Sequence, residues 1–242
     1  MTENSFDVGH RIGALFDNQA EQYIQFADGS YTWNFLEKPA FDRYIPDLYN
    51  SSTKALDIGC GTGRIIKHLS SRGLLAENII GIDVSLELLK CAKKGLLGAS
   101  FVNNSSEELP LISDNFDLVT SNMTMHYLDN QALERTLNAV HRVLKTGGTF
   151  FFVESDPDYI PERRNPENLN RWLELRTSWG TTLPYFNRDP RPFLTSFLIN
   201  HGFRYIRGWA VNISEAGKVD LVKYNRYFLR PYRIAARFEK IG

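Results

Sequence analysis

The segment Leu56-Asp57-Ile58-Gly59-Cys60-Gly61-Thr62-Gly63 concentrates the residue types that let a backbone wrap a polar ligand. Glycines at alternate positions allow main-chain atoms to approach a bound molecule closely, and a helix starting just after them points unpaired N–H groups at it. The spacing is GxGxG, not the GxGxxG of a dinucleotide fingerprint, and Asp57 stands just ahead of it. Asp83, at the end of the next strand-like run, can accept hydrogen bonds from both hydroxyls of a ribose. Capping of the following helix is its simpler role, but Ser85 already serves there. Ser105 to Leu109 could frame an adenine through backbone groups and the Glu107 side chain.

For proton transfer the best-suited residue is His126, which titrates near neutrality. It follows Asn122 in the run Ser121-Asn122-Met123-Thr124-Met125-His126-Tyr127, beyond a strand end, where ligands of open α/β sheets sit. Packing is the competing role for this histidine. His10, His68, His141 and His201 read as helix-surface or turn residues, and the histidines show no metal-ligand spacing, so no metal is expected.

Positioning these groups requires alternating strands and helices, and the sequence supplies them. Lys54 to Ile58, Asn78 to Val84, Phe101 to Asn103, Phe116 to Ser121 and Thr149 to Val153 read as strands. Between them, Thr62 to Ser71 carries Ile65, Ile66 and Leu69 on one helical face. A second helix runs from its cap Ser85 to about Lys94, where Gly95 stops it. A third bears the stripe Leu133, Leu137, Val140 and Leu144 and ends at Thr146-Gly147-Gly148. Pro157, Pro161, Pro166 and Pro184 then loosen the pattern around one expected helix, Glu167 to Thr177. A helix over Pro192 to Asn200 and closing strands over Phe203 to Val211 and Arg233 to Phe238 complete the chain. The expected fold is α/β, a doubly wound, seven-stranded, mostly parallel sheet with helices on both faces. Residues 1–50 form a helical cap segment, 51–155 the ligand-binding core, 156–190 a cap insertion and 191–242 the completion of the core sheet.

At 242 residues, 43% hydrophobic and 23% charged, the chain has the make-up of an ordinary globular protein. Formal net charge is zero, so no global field draws it to nucleic acid or an anionic membrane. Locally, His201 to Gly242 holds nine Lys/Arg against three Asp/Glu, and Phe101 to Ile160 the reverse, three against nine. No apolar run reaches the roughly 18 residues of a membrane span, and Met1 to His10 lacks a basic-then-apolar leader pattern. Only Cys60 and Cys91 are present, in no CxxC pair, which fits a reducing cytoplasm.

Taken together, the glycine loop and Asp83 resemble class I S-adenosylmethionine-dependent methyltransferases, in particular their small-molecule branch. Further matches are Ser106-Glu107-Glu108-Leu109-Pro110 before Asn115-Phe116-Asp117, then His141-Arg142-Val143-Leu144-Lys145-Thr146-Gly147-Gly148, and His201-Gly202-Phe203. Phe16-Asp17-Asn18-Gln19-Ala20-Glu21-Gln22-Tyr23 is similar to the family's N-terminal helix, whose tyrosine closes over the cofactor. Many relatives carry Asp where Ser105 stands.

The resemblance implies that S-adenosylmethionine is bound by Asp57, Gly59, Gly61, Gly63 and Asp83. Val84, Ser106, Glu107 and Asn122 join them, with Tyr23 as the cover and His126 near the acceptor. The implied reaction is methyl transfer to an O, N or C atom of a small acceptor. Tyr23, Phe26, Tyr31, Trp33, Phe35, Trp172, Trp179, Tyr185 and Phe186 could line an apolar or aromatic acceptor pocket or form an ordinary cap core. RNA, tRNA or a carrier protein is the alternative substrate, read by Arg204, Arg207, Arg226, Arg230, Arg233 and Arg237. A non-catalytic cofactor-binding protein and a nicotinamide dehydrogenase stay open as further alternatives, the last disfavoured by the glycine spacing. Nucleic acid and membrane are not expected partners, and oligomeric state is left open.

Overall fold

The computed structural model describes residues 5–27, 29–45, 50–156, 165–177, 179–211 and 233–241. Strands covered on both faces must be apolar nearly throughout, and β1 (Ala55–Ile58) is buried at all four positions. It lies inside a seven-stranded sheet, between β2 (Ile79–Asp83) and β4 (Phe116–Asn122), with β3 (Ser100–Asn103) and β5 (Leu144–Ser155) beyond them. These five are parallel. Strands β6 (Arg171–Arg176) and β7 (Thr182–Asn187) form a separate antiparallel hairpin. β8 (Phe203–Val211) and β9 (Arg233–Lys240) then return to the sheet, antiparallel to β5 and to each other. The order is β3-β2-β1-β4-β5-β9-β8. The chain winds outward in both directions from the β1/β4 boundary, so a crevice opens beyond the carboxyl ends of those two strands.

The pleat of β5 sorts the core into two layers. Phe151 and Val153 pack on one face with Ile66 and Leu69 of α4 (Arg64–Ser71) and Phe41 of α3 (Lys38–Tyr44). Phe150 and Phe152 point the other way, toward Leu133, Leu137 and Val140 of α6 (Asn130–Val143) and Leu194 and Leu198 of α7 (Pro190–Asn200). The Phe41 and Phe151 rings meet edge to face at 4.9 Å. The N-terminal segment is helical where described and divides its work. Helix α3 and a π-helical turn, Trp33–Glu37, cover the sheet, whereas α1 (Ser5–Asn18) and α2 (Ala20–Ala27) reach α5 (Leu86–Gly95) at the crevice.

Three expectations are corrected. The helix expected over Glu167 to Thr177 is instead a 3-10 turn, Pro166–Asn168, followed by β6. Asn170 takes a left-handed conformation (φ 56°), which no helix continues through, and Trp172, Leu173 and Leu175 find cross-strand partners in Phe186, Tyr185 and Leu183. Helix α6 stops at Val143, before Thr146-Gly147-Gly148, because Leu144 is already extended and pairs with Phe116. His68 is buried, its Nε2 3.2 Å from Asp42 Oδ1 and its ring edge-on to Trp33, because α4 packs under the N-terminal segment.

The closing strands are tied to that segment by polar contacts, one pair of them buried. Arg207 and Arg237 both donate to the Tyr44 carbonyl at the end of α3, a group without an intrahelical partner. Arg233 Nε lies 2.9 Å from Glu37 Oε1, with both side chains buried. Removing one partner from such a pair costs about 3–5 kcal/mol, since the other charge stays buried. Glu37→Ala is therefore expected to lower the thermal midpoint by about 10 °C, measured by calorimetric unfolding.

Candidate functional site

The glycine loop is held open by β2. Gly59 and Cys60 donate their N–H groups to the Ile82 carbonyl at 2.8 and 3.0 Å, and Gly61 N–H reaches Asp83 Oδ2 at 2.8 Å. The other oxygen of that carboxylate accepts from Ser85 N–H, also at 2.8 Å. Gly59, Gly61 and Gly63 all take positive φ. At Gly59 a side chain is excluded twice over, by its backbone and by Thr124, into which a Cβ would run. Ser85 caps α5 by accepting from Leu88 N–H and donates to Asp17 of α1 at 2.6 Å, so the N-terminal helix is docked at the loop's flank.

These elements border a cavity, open to solvent, of about 720 Å³ with that solvent included, over the carboxyl ends of β1, β2 and β4. Of the residues expected to bind cofactor, Tyr23, Gly59, Gly61, Asp83, Val84, Ser106 and Asn122 line it. Asp57 sits beneath, and Gly63 turns the loop into α4. Glu107 faces elsewhere: its carboxylate is held by Arg135 of α6 at 2.6 and 2.8 Å. Ser106 bonds Thr136 at 3.0 Å, and Ser105 caps the short turn Ser106–Glu108.

Two acceptors at this site are buried and lack a hydrogen-bond partner among the described residues, Asp57 Oδ2 and Asn122 Oδ1. The second Asp57 oxygen takes a 2.7 Å bond from Thr120. Burial pushes the Asp57 carboxyl up to about 7, against the Thr120 hydrogen bond, with Asp83 adding repulsion. Asp83 is raised to about 6 by burial, against the amides of Ser85 and Gly61. Unmet acceptors and costly carboxylates are what a ligand bearing hydroxyls and an ammonium would satisfy.

A second cavity, also open and of about 860 Å³ with its solvent included, adjoins the first, and Phe16, Tyr23, Met123 and Tyr127 wall both. Met123 is left-handed (φ 57°), which swings the chain from β4 into the turn Met125–Tyr127. There His126 is buried on the second cavity's wall, stacked on Tyr185 at 4.4 Å, with Nδ1 2.7 Å from Glu154 Oε2. Glu154 Oε1 accepts from the Thr124 and Met125 amides at 2.9 and 2.8 Å. Burial raises the Glu154 carboxyl, but His126 and those amides outweigh it and hold it below the usual range. A carboxylate that orients an imidazole is the arrangement of an assisted base.

Residues 55–148 match the family model of a methyltransferase domain. An uncharacterized methyltransferase of Synechocystis sp. is 35% identical over 159 residues, 64% of this chain and 68% of that protein. The chain belongs to the class I S-adenosylmethionine-dependent methyltransferases. It is also 31% identical to a malonyl-[acyl-carrier protein] O-methyltransferase of Enterobacter lignolyticus, over 63% of this chain and 57% of that protein. An S-adenosylmethionine-dependent methyltransferase from Mesorhizobium loti has the same fold, with TM-score 0.66 and 20% identity over 88% of this chain and 99% of that one.

The methyltransferase's first cavity fits its cofactor. Asp83 keeps lone pairs that ribose hydroxyls would take, Asn122 Oδ1 and Asp57 Oδ2 would accept from an ammonium, and Val84 and Ser106 wall the region beyond β2 and β3. Bound there, S-adenosylmethionine supplies a methyl group on a positively charged sulfur. Sequence reasoning passed over Met123 and Glu154. A carboxylate near the carboxyl end of β5 was a usable signal for Glu154; the left-handed Met123 left none.

Two outcomes follow from the raised carboxylates. The ionised form of Asp83 is the better acceptor, so affinity for S-adenosylhomocysteine should weaken as pH falls through about 6, in calorimetric titrations from about pH 5 to about pH 8. A flat profile would remove Asp83 from the binding set. The native Asp57 carboxyl titrates above its unfolded value, so its ionisation lowers stability as pH rises from about 4 to about 7. Asp57→Asn should therefore raise the thermal midpoint of the ligand-free protein by about 3 °C at pH 8, with the gain fading toward pH 4.

Proposed function

We propose that the methyltransferase acts on an O, N or C atom of a small molecule seated in the second cavity, with His126 as the base where the acceptor must lose a proton. The observation that carries this reading is the shared wall: the second cavity meets the cofactor cavity at Phe16, Tyr23, Met123 and Tyr127, and His126, held by Glu154, lines it next to Tyr127. The sulfonium is reactive in itself, so the protein's work is to hold acceptor and methyl in line and away from water, an effect of about 7–11 kcal/mol. Tyr23 sits at the junction, its ring edge-on to Phe16 and Trp179 at 5.5 Å, suited to cover the cofactor and floor the acceptor site. His126 would accept the proton while Glu154 holds the ring and stabilises the imidazolium.

The arginines that an RNA substrate would need give that alternative little support. Arg204 pairs with Glu239, Arg233 with Glu37, and Arg207 and Arg237 donate to Tyr44, while Arg226 and Arg230 lie outside the described residues. A carrier-linked acceptor keeps the support of the Enterobacter relative's name.

The test is an acceptor screen with methyl-labelled cofactor, offering small molecules, bulk tRNA and acylated carrier protein side by side. Label in small molecules is expected, and label only in tRNA or carrier protein would overturn the reading. With an acceptor in hand, His126→Gln should cut kcat by about a hundredfold or more while leaving S-adenosylhomocysteine affinity unchanged. Full activity would make His126 a packing residue.

A further inference from the structure

The wall of the second cavity combines aromatic rings with an excess of positive charge. Among the described residues Arg64, Arg176 and Arg233 line it, against the one carboxylate of Glu37. Glu37 is spent on Arg233, with which it forms the buried pair. Arg64, the first residue of α4, donates Nη1 to the Ala27 carbonyl at 2.8 Å and lies 5.0 Å from the centre of the Trp33 ring, contacts that fix its plane without neutralising it. Arg176, at the end of β6, forms no ion pair among the described residues. The hydroxyls of Ser30, Thr32 and Ser155 stand on the same wall.

Arg64 has an electrostatic reach to the junction of the two cavities. Burial raises the Tyr23 hydroxyl, and the positive charge of Arg64 is the main effect opposing it. Arg64 lines the second cavity and not the cofactor cavity, although its charge also favours the ionised Asp57 carboxyl beneath the latter. Arg64 is half-buried and Arg176 stands exposed at the rim, and two guanidinium groups with no ion pair among the described residues give this ring-lined space a positive potential that favours an anion. The fork of a guanidinium matches the two oxygens of a carboxylate. Phe16, Phe26, Leu175, Trp179 and Leu183 offer the rest of the ligand an apolar surface.

We infer that the acceptor is an apolar or aromatic carboxylate whose anionic end is held by Arg64 and Arg176. The inference rests on the second cavity being the acceptor site. It adds a charge requirement that shape and aromatic lining by themselves do not impose.

The test uses two probes of one shape and different charge, 3-phenylpropanoate and 3-phenylpropanamide, titrated into the intact protein at saturating S-adenosylhomocysteine. Fluorescence of Trp179, on the cavity wall, and calorimetry report binding. The carboxylate should bind about tenfold more tightly than the amide. That advantage should shrink about three- to tenfold in Arg176→Gln and in Arg64→Gln, and again when salt rises from about 0.05 to about 0.5 M. S-adenosylhomocysteine affinity should be the same in both variants.

Equal affinity for the two probes would overturn the charge requirement while leaving the cavity as acceptor site. So would a carboxylate advantage that both variants keep in full. Loss of S-adenosylhomocysteine affinity in Arg64→Gln would assign that arginine to the cofactor and overturn its role here. A preference of about tenfold for 2-phenylethylphosphonate over the carboxylate would replace the carboxylate with another oxyanion. Failure of every probe to bind, with S-adenosylhomocysteine still bound, would remove the cavity as acceptor site and this inference with it.

Discussion

The carboxylate of Asp83 is the point on which the site turns. One oxygen holds Gly61 of the glycine loop and the other holds Ser85 at the start of α5, so a single side chain fixes the distance between the two loops that form the cofactor cavity. Ser85 in turn engages Asp17, which brings α1 to the cavity's edge. Burial works against this arrangement by raising the carboxyl, and the two amides offset part of that cost. The site is thus built at some expense in stability, and the charge that a ligand relieves is the charge that organises the loops.

Everything else serves to carry that carboxylate and to place a second cavity beside it. The doubly wound sheet puts the carboxyl ends of β1, β2 and β4 at one crevice because the chain reverses its winding between β1 and β4. The alternation along β5 lets one strand serve both core layers, and its last residues then reach the second cavity: Glu154 orients His126, and Ser155 stands on the cavity wall. The Glu37–Arg233 pair joins the N-terminal segment to the last strand at that same wall. Stability of the cap and charge of the second cavity are therefore set by overlapping residues.

Much of the fold was legible because its signals are local. Apolar runs marked the parallel strands, Ser85 and Gly95 marked the ends of α5, and the seven-stranded mixed sheet followed from their order. The insertion misled because Trp172, Leu173 and Leu175 suit a helix as well as a strand, and only pairing with β7 chooses between them. His68 misled for the same reason: a helix position is exposed or buried according to what packs on it, and here that is the distant N-terminal segment.

The sequence by itself determined the chemistry of the cofactor end, because a glycine loop, the strand before it and the acid after the next strand lie within one βαβ unit, whose geometry is nearly fixed by local rules. It placed Glu107 on the right loop but not facing elsewhere, since the draw of Arg135 comes from another element. The second cavity was decided only by tertiary structure. His126 and Glu154 come from the ends of adjacent strands, while Arg64, Arg176 and Arg233 come from a helix, a hairpin and the last strand. Contacts between residues far apart in the chain depend on how whole elements pack, and no spacing pattern records that.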